Sequence, residues 1–197
     1  MKDLFQHFQS AWIIQLERRT DIVTIQEACL IILFYPHAKR EMRCGLFLYT
    51  ESDRTKAEQL KDHVQGNLRR IADFRNITDV IAEDQKLKDE LPRSDCVVLI
   101  GSRLASSLIH NKRTEIEDGF ETFDGKLVHK EFTENKDLLK RLIIVFFTER
   151  TKNDWIPADF DERRIFDLEG EDIREGNPVL DQLEYCIRVI LSEETRA

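Results

Sequence analysis

Cys96-Val97-Val98-Leu99-Ile100, followed by Gly101-Ser102, is an unbroken apolar run ending in a small polar turn. A strand with one face on a core alternates apolar and polar residues, because successive side chains point to opposite faces. A strand covered on both faces has no reason to alternate. The run is therefore read as the central strand of a parallel sheet with helices on both sides. Two segments of the same kind lie to either side of it, Gly45-Leu46-Phe47-Leu48-Tyr49 and Leu142-Ile143-Ile144-Val145-Phe146-Phe147.

The segments between these runs have helical spacing. Ser52 or Asp53 can cap a helix whose Ala57, Leu60, Val64, Leu68 and Ile71 form one face. Ile77-Thr78-Asp79-Val80-Ile81 is rich in β-branched residues and is expected to be the second strand. A short helix over Gln85–Leu91 should stop near Pro92, and another is expected over Arg103–Ile109. Asn111–Gly125 is polar and reads as a loop, Lys126–Asn135 as a helix, and Arg164–Leu168 as a short fifth strand. A last helix, Pro178–Ser192, would present Val179, Leu183, Cys186, Ile187 and Ile190 on one side, with its proline in the first turn. Five strands alternating with helices imply right-handed βαβ units. The expected architecture is α/β, a flavodoxin-like five-stranded parallel sheet of order 2-1-3-4-5 flanked by helices.

Residues 1–43 precede this pattern and read as an N-terminal helical extension to a domain spanning 44–192. Leu4, Phe5, Phe8, Trp12, Ile13 and Leu16 recur at helical intervals, with polar residues between them. Ile22–Tyr35 suits a second helix, although Leu30–Tyr35 alone fits a short strand equally well. Pro36 ends either element. The extension is expected to cap the domain or to mediate self-association.

Composition excludes several functions. The net charge of -8 gives no basic excess with which to neutralise phosphates, so nucleic acid is not an expected partner. Neither GxGxxG nor GxxxxGK[ST] occurs, which disfavours a Rossmann or P-loop nucleotide site. Glu51, Asp53, Glu83 and Asp84 could converge at the sheet edge around a hard cation. They read more simply as a helix cap and solvated loop charges, and no metal is assigned. His7, His37, His63, His110 and His129 have no ligand spacing. Cys29, Cys44, Cys96 and Cys186 form no CxxC pair and read as free thiols of a reducing compartment. Trp155, after the fourth strand, reads as a buried plug. The N-terminus has no leader-like apolar core. The longest apolar run, Ala28–Tyr35, is far below the roughly 20 residues that span a bilayer. A cytoplasmic chain without membrane insertion is the expectation.

Four stretches in this order resemble the Toll/interleukin-1-receptor (TIR) superfamily, and more closely the SEFIR domains of interleukin-17 receptors and their adaptor. They are Gly45–Asp53, Ser94–Arg103, Lys126–Phe132 with Arg141–Phe147, and Ile156–Phe160 with Arg164–Leu168. The turn Glu83–Lys86 departs from the family, being too short for the long proline-bearing loop of many TIR domains. Residues 1–43 also fall outside the family pattern. The resemblance implies an adaptor-like signalling module of innate immunity that binds another TIR- or SEFIR-type domain. It places the contact on Arg113, Lys126, His129, Lys130 and Glu134, beside an acidic segment containing Glu115, Glu117, Asp118, Glu121 and Asp124. It also implies a second reading, because some TIR domains cleave NAD with a glutamate on this helix. Glu131 is the matching position. The tryptophan often found a few residues earlier is absent, with Val128 in that region.

Overall fold

The computed structural model describes residues 42–83, 85–111, 114–117, 120–174 and 176–192. The extension expected over residues 1–43 therefore lies almost wholly outside the described residues. Five strands form one sheet: β1 (Arg43–Leu48), β2 (Ala72–Asn76), β3 (Cys96–Gly101), β6 (Leu142–Phe146) and β7 (Ile165–Asp167). Their spatial order is β2-β1-β3-β6-β7 and every pairing is parallel. The fold is thus α/β and flavodoxin-like, with the expected strand order. Every residue of β3 and of β6 is buried, as continuous apolar runs require when both faces of a sheet are covered.

The helices are α1 (Arg54–Leu68), α2 (Ile77–Ala82), α3 (Leu87–Arg93), α4 (Arg103–Asn111), α5 (Gly125–Glu134), α6 (Lys136–Leu139) and α7 (Pro178–Ser192). Ala57, Leu60, Val64 and Leu68 are the buried face of α1, as their spacing predicts, whereas Ile71 lies past its end and is exposed. The carboxylate of Glu184 on α7 lies 3.0 Å from His63 Nε2 on α1, so these two helices run side by side.

Edge strand β2 is held by a side chain that imitates a neighbouring strand. Gln65 on α1 donates to the Ala72 carbonyl at 3.2 Å and accepts the Phe74 N–H at 2.7 Å. This satisfies edge groups that would otherwise invite another chain. Glycine is required at two places by close approach. A Cβ on Gly45 would strike the ring of Phe74, its register partner on β2. A Cβ on Gly101 would strike the ring of Phe146, its partner on β6.

Three sequence expectations are corrected. The second strand is Ala72–Asn76, not Ile77–Ile81, which is helical. Ala72, Phe74 and Asn76 are buried while Asp73 and Arg75 face outward, the alternation of an edge strand. Immediately after it the Asp79 carboxylate accepts the Asn76 N–H at 3.1 Å, and this starts a helix despite the β-branched residues. Second, the short helix is Leu87–Arg93 rather than Gln85–Leu91; it stops near Pro92 as expected, with the proline inside its last turn. Third, the loop expected over Asn111–Gly125 contains an antiparallel pair, β4 (Thr114–Glu117) and β5 (Phe120–Asp124). Phe123 of β5 is buried, and β5 packs beside α2.

Candidate functional site

An open α/β sheet ordinarily binds ligands beyond the C-terminal ends of its strands. Here the polar groups at those ends are turned on one another. Thr50, fully buried after β1, donates to the Asp53 carboxylate at 2.6 Å and lies 2.8 Å from the Ser52 hydroxyl. Asp53 therefore closes a turn with Thr50, and its side chain does not cap α1, contrary to expectation. Glu51 pairs with Arg54 at 2.8 Å, and Glu83 with Arg75 at 2.6 Å. Asp84 lies outside the described residues. Among the described residues no three His, Cys, Asp or Glu side chains are grouped as metal ligands.

The third strand end is equally self-contained. Ser102 accepts the Ala105 N–H at 3.2 Å and so starts α4. One turn on, buried Ser106 accepts the N–H of Trp155 at 2.9 Å. Trp155 is itself buried against the ring of Phe132 on α5, 6.4 Å between centroids, the plug that the sequence suggests. Cys44, Cys96 and Cys186 form no disulfide, and burial pushes the Cys96 thiol well above its ordinary value. Cys29 lies outside the described residues.

Helix α5 has a different character. Its first turn is capped by Asp124, whose carboxylate accepts the N–H groups of Lys126 at 2.9 Å and Leu127 at 3.1 Å. Gly125, Val128 and Phe132 form the buried face. Lys126, Lys130 and Glu134, spaced four apart, are all exposed and make one line along the outer side. His129 is half-buried beside that line, and its carbonyl accepts the Thr133 hydroxyl at 2.6 Å. Arg113 lies outside the described residues.

Glu131 is half-buried on another side of the helix. Its carboxylate forms no hydrogen bond or ion pair with another described residue. Arg141, the partner that charge alone would nominate, instead donates to the carbonyls of Ser94 at 3.3 Å and Pro92 at 3.5 Å. The structure thus brings three of the nominated residues onto one exposed line, with His129 at its margin. The hairpin beside them escaped sequence reading, although Asp118-Gly119 is the dipeptide that two-residue hairpin turns favour. No helix among the described residues is long and apolar enough to cross a membrane. No family model matches the chain, and neither does any curated protein or solved structure.

Proposed function

We propose that residues 44–192 form a cytoplasmic signalling module that binds another TIR- or SEFIR-type domain through the outer face of α5. The observation that carries this reading is the exposed line Lys126, Lys130 and Glu134 on a helix anchored from behind by Val128 and Phe132. Such a line offers charges of fixed spacing, which set partner choice and association rate more than raw affinity. The acid-rich sequence 115–124 next to it would extend the same surface with opposite charge. The self-satisfied strand ends support a surface role rather than a ligand crevice.

The test is binding of the purified full chain to SEFIR domains of interleukin-17 receptors and their adaptor, followed by surface plasmon resonance. Lys126→Glu/Lys130→Glu should weaken binding by about tenfold or more and steepen no salt dependence, with the circular dichroism spectrum unchanged. Binding that is absent, or that survives the double reversal, refutes the proposal. Incubation with NAD addresses the other implication of the resemblance. Nicotinamide release that disappears in Glu131→Ala would replace the adaptor reading with a hydrolase using Glu131.

A further inference from the structure

A groove of about 570 Å³ lies between α7 and the region around β7, away from the residues of α5. Tyr185, Cys186, Val189 and Ile190 form its α7 wall, one stripe at helical spacing. Phe166 on β7 contributes apolar surface, and Lys140, Arg163 and Arg164 supply three cations against two carboxylates, Asp161 in the lining and Asp137, which pairs with Lys140 at 2.9 Å. That local excess is opposite in sign to the chain's net charge of -8. Strand β7 also terminates the sheet, so its outer edge has no strand neighbour among the described residues.

Arg164 is the organised part of this groove. Its side chain is only 16% exposed, and its Nη1 donates backwards to the carbonyls of Leu139 at 2.9 Å and Leu142 at 3.5 Å. The Phe160 ring lies 4.9 Å from its guanidinium carbon. The nearest carboxylate oxygen, on Asp161, is 4.0 Å from Nε, beyond hydrogen-bond reach. The guanidinium is therefore braced while Nε and Nη2 make no hydrogen bond with the described residues. A fork held in this way is suited to a carboxylate. Arg163 holds Asp161 in a bidentate pair, Nε to Oδ1 at 3.0 Å and Nη2 to Oδ2 at 2.9 Å, at the exposed rim, so an incoming carboxylate competes with Asp161 for it. At the rim, Tyr185 is 70% exposed, and large aromatic residues of this kind anchor protein interfaces.

We propose that this groove docks a short extended segment of a partner protein carrying carboxylates beside bulky apolar side chains. The α7 stripe from Gln182 to Ile190 is about 12 Å long at 1.5 Å per residue. An extended chain covers that length with about four residues. Carboxylates meet the Lys140–Arg163–Arg164 end, and the apolar side chains meet Phe166, Val189 and Tyr185. The site is separate from the α5 face and stands whether or not that face binds a SEFIR-type domain.

The experiment is a titration of the isotope-labelled full chain with the peptide acetyl-Glu-Phe-Asp-Leu-amide, followed by amide chemical shifts. The expected result is saturable shifts centred on β7 and α7, weakened about tenfold or more when the peptide's acids are replaced by their amides. Lys140→Glu/Arg163→Glu, both at exposed positions, and Tyr185→Ala should each weaken binding similarly, while Lys126→Glu/Lys130→Glu leaves it unchanged. The proposal is overturned by shifts elsewhere, by none up to millimolar peptide, or by equal binding of the amide peptide. Competition by inorganic phosphate as effective as the peptide itself would mean an anion site only. Self-association abolished by Lys140→Glu/Arg163→Glu would make the occupant a second copy, and would equally overturn it.

Discussion

The Tyr49 hydroxyl lies 3.1 Å from Thr78 Oγ1, tying the residue after β1 to the first turn of α2. Tyr49 is fully buried, and burial pushes its phenol up to about 12, more than the Thr78 hydrogen bond lowers it. An unfolded phenol ionises near 10. A folded value above the unfolded one means that the neutral form is the one folding favours. The contribution is complete below about pH 10 and is lost as pH rises from 10 towards 12. Denaturant unfolding should therefore show stability falling over that interval. Tyr49→Phe should cost about 1 kcal/mol at pH 8 and reduce the alkaline decline. Absorbance at 295 nm should show a late-ionising phenol that Tyr49→Phe removes, and a Tyr49 that titrates near the ordinary value of about 10 would contradict this account.

Gly101 and Phe146 are register partners on β3 and β6, and the ring occupies the space where a Cβ would stand. Phe146 is buried, so its ring has little room to retreat. Gly101→Ala should cost about 1–3 kcal/mol through overpacking. Phe146→Leu in the same chain should recover part of that loss, because it removes the ring the methyl meets. A double-mutant cycle by denaturant unfolding measures the coupling, and additive losses would show that the clash is not the cause.

The core strands were legible because burial on both faces leaves a one-sided signal: β1, β3 and β6 are continuous apolar runs. Strand β2 hid because its outward Asp73 and Arg75 break the run, and because Gln65, a distant side chain, supplies part of its pairing. The β-branched residues after it misled, since capping by Asp79 outweighs a weak local preference. In the hairpin, β4 and β5 are charge-rich, so period and composition both pointed to a loop. On α5, helical spacing separated the outer Lys126, Lys130 and Glu134 from the buried Val128 and Phe132. The groove could not be read at all. Arg164 and Tyr185 meet there only because β7 and α7 are brought together by the fold.

Ser106 Oγ is the partner of the Trp155 N–H, and both residues are buried. Ser106→Ala leaves that donor without its acceptor and should cost about 1–3 kcal/mol. Ser106→Thr keeps the hydroxyl and should lose less. Trp155 reports locally, since its ring packs on Phe132, so its fluorescence should shift towards that of a wetter indole in the alanine variant. The other tryptophan, Trp12, can be replaced by Phe to isolate the signal. Unchanged stability together with unchanged emission would mean that water replaces the hydroxyl without loss.

Asn177 stands immediately before α7 and works with both ends of its amide. Its Oδ1 accepts the Val179 N–H at 2.9 Å and the Leu180 N–H at 3.4 Å. Its Nδ2 donates to Glu171 at 2.8 Å and to the Asp172 carbonyl at 3.2 Å, so the cap also fastens the loop after β7. Asn177→Asp keeps the cap and loses the donor, and it brings a second carboxylate against Glu171. Asn177→Ala should cost about 1–2 kcal/mol, the usual loss of a helix cap. Asn177→Asp should cost less than alanine at high salt, where repulsion from Glu171 is screened, and approach it at low salt. Unfolding curves of both variants at low and high salt separate the two functions. An aspartate variant as stable as the parent at low salt would show that the Glu171 contact contributes nothing, and that Asn177 acts as a cap alone.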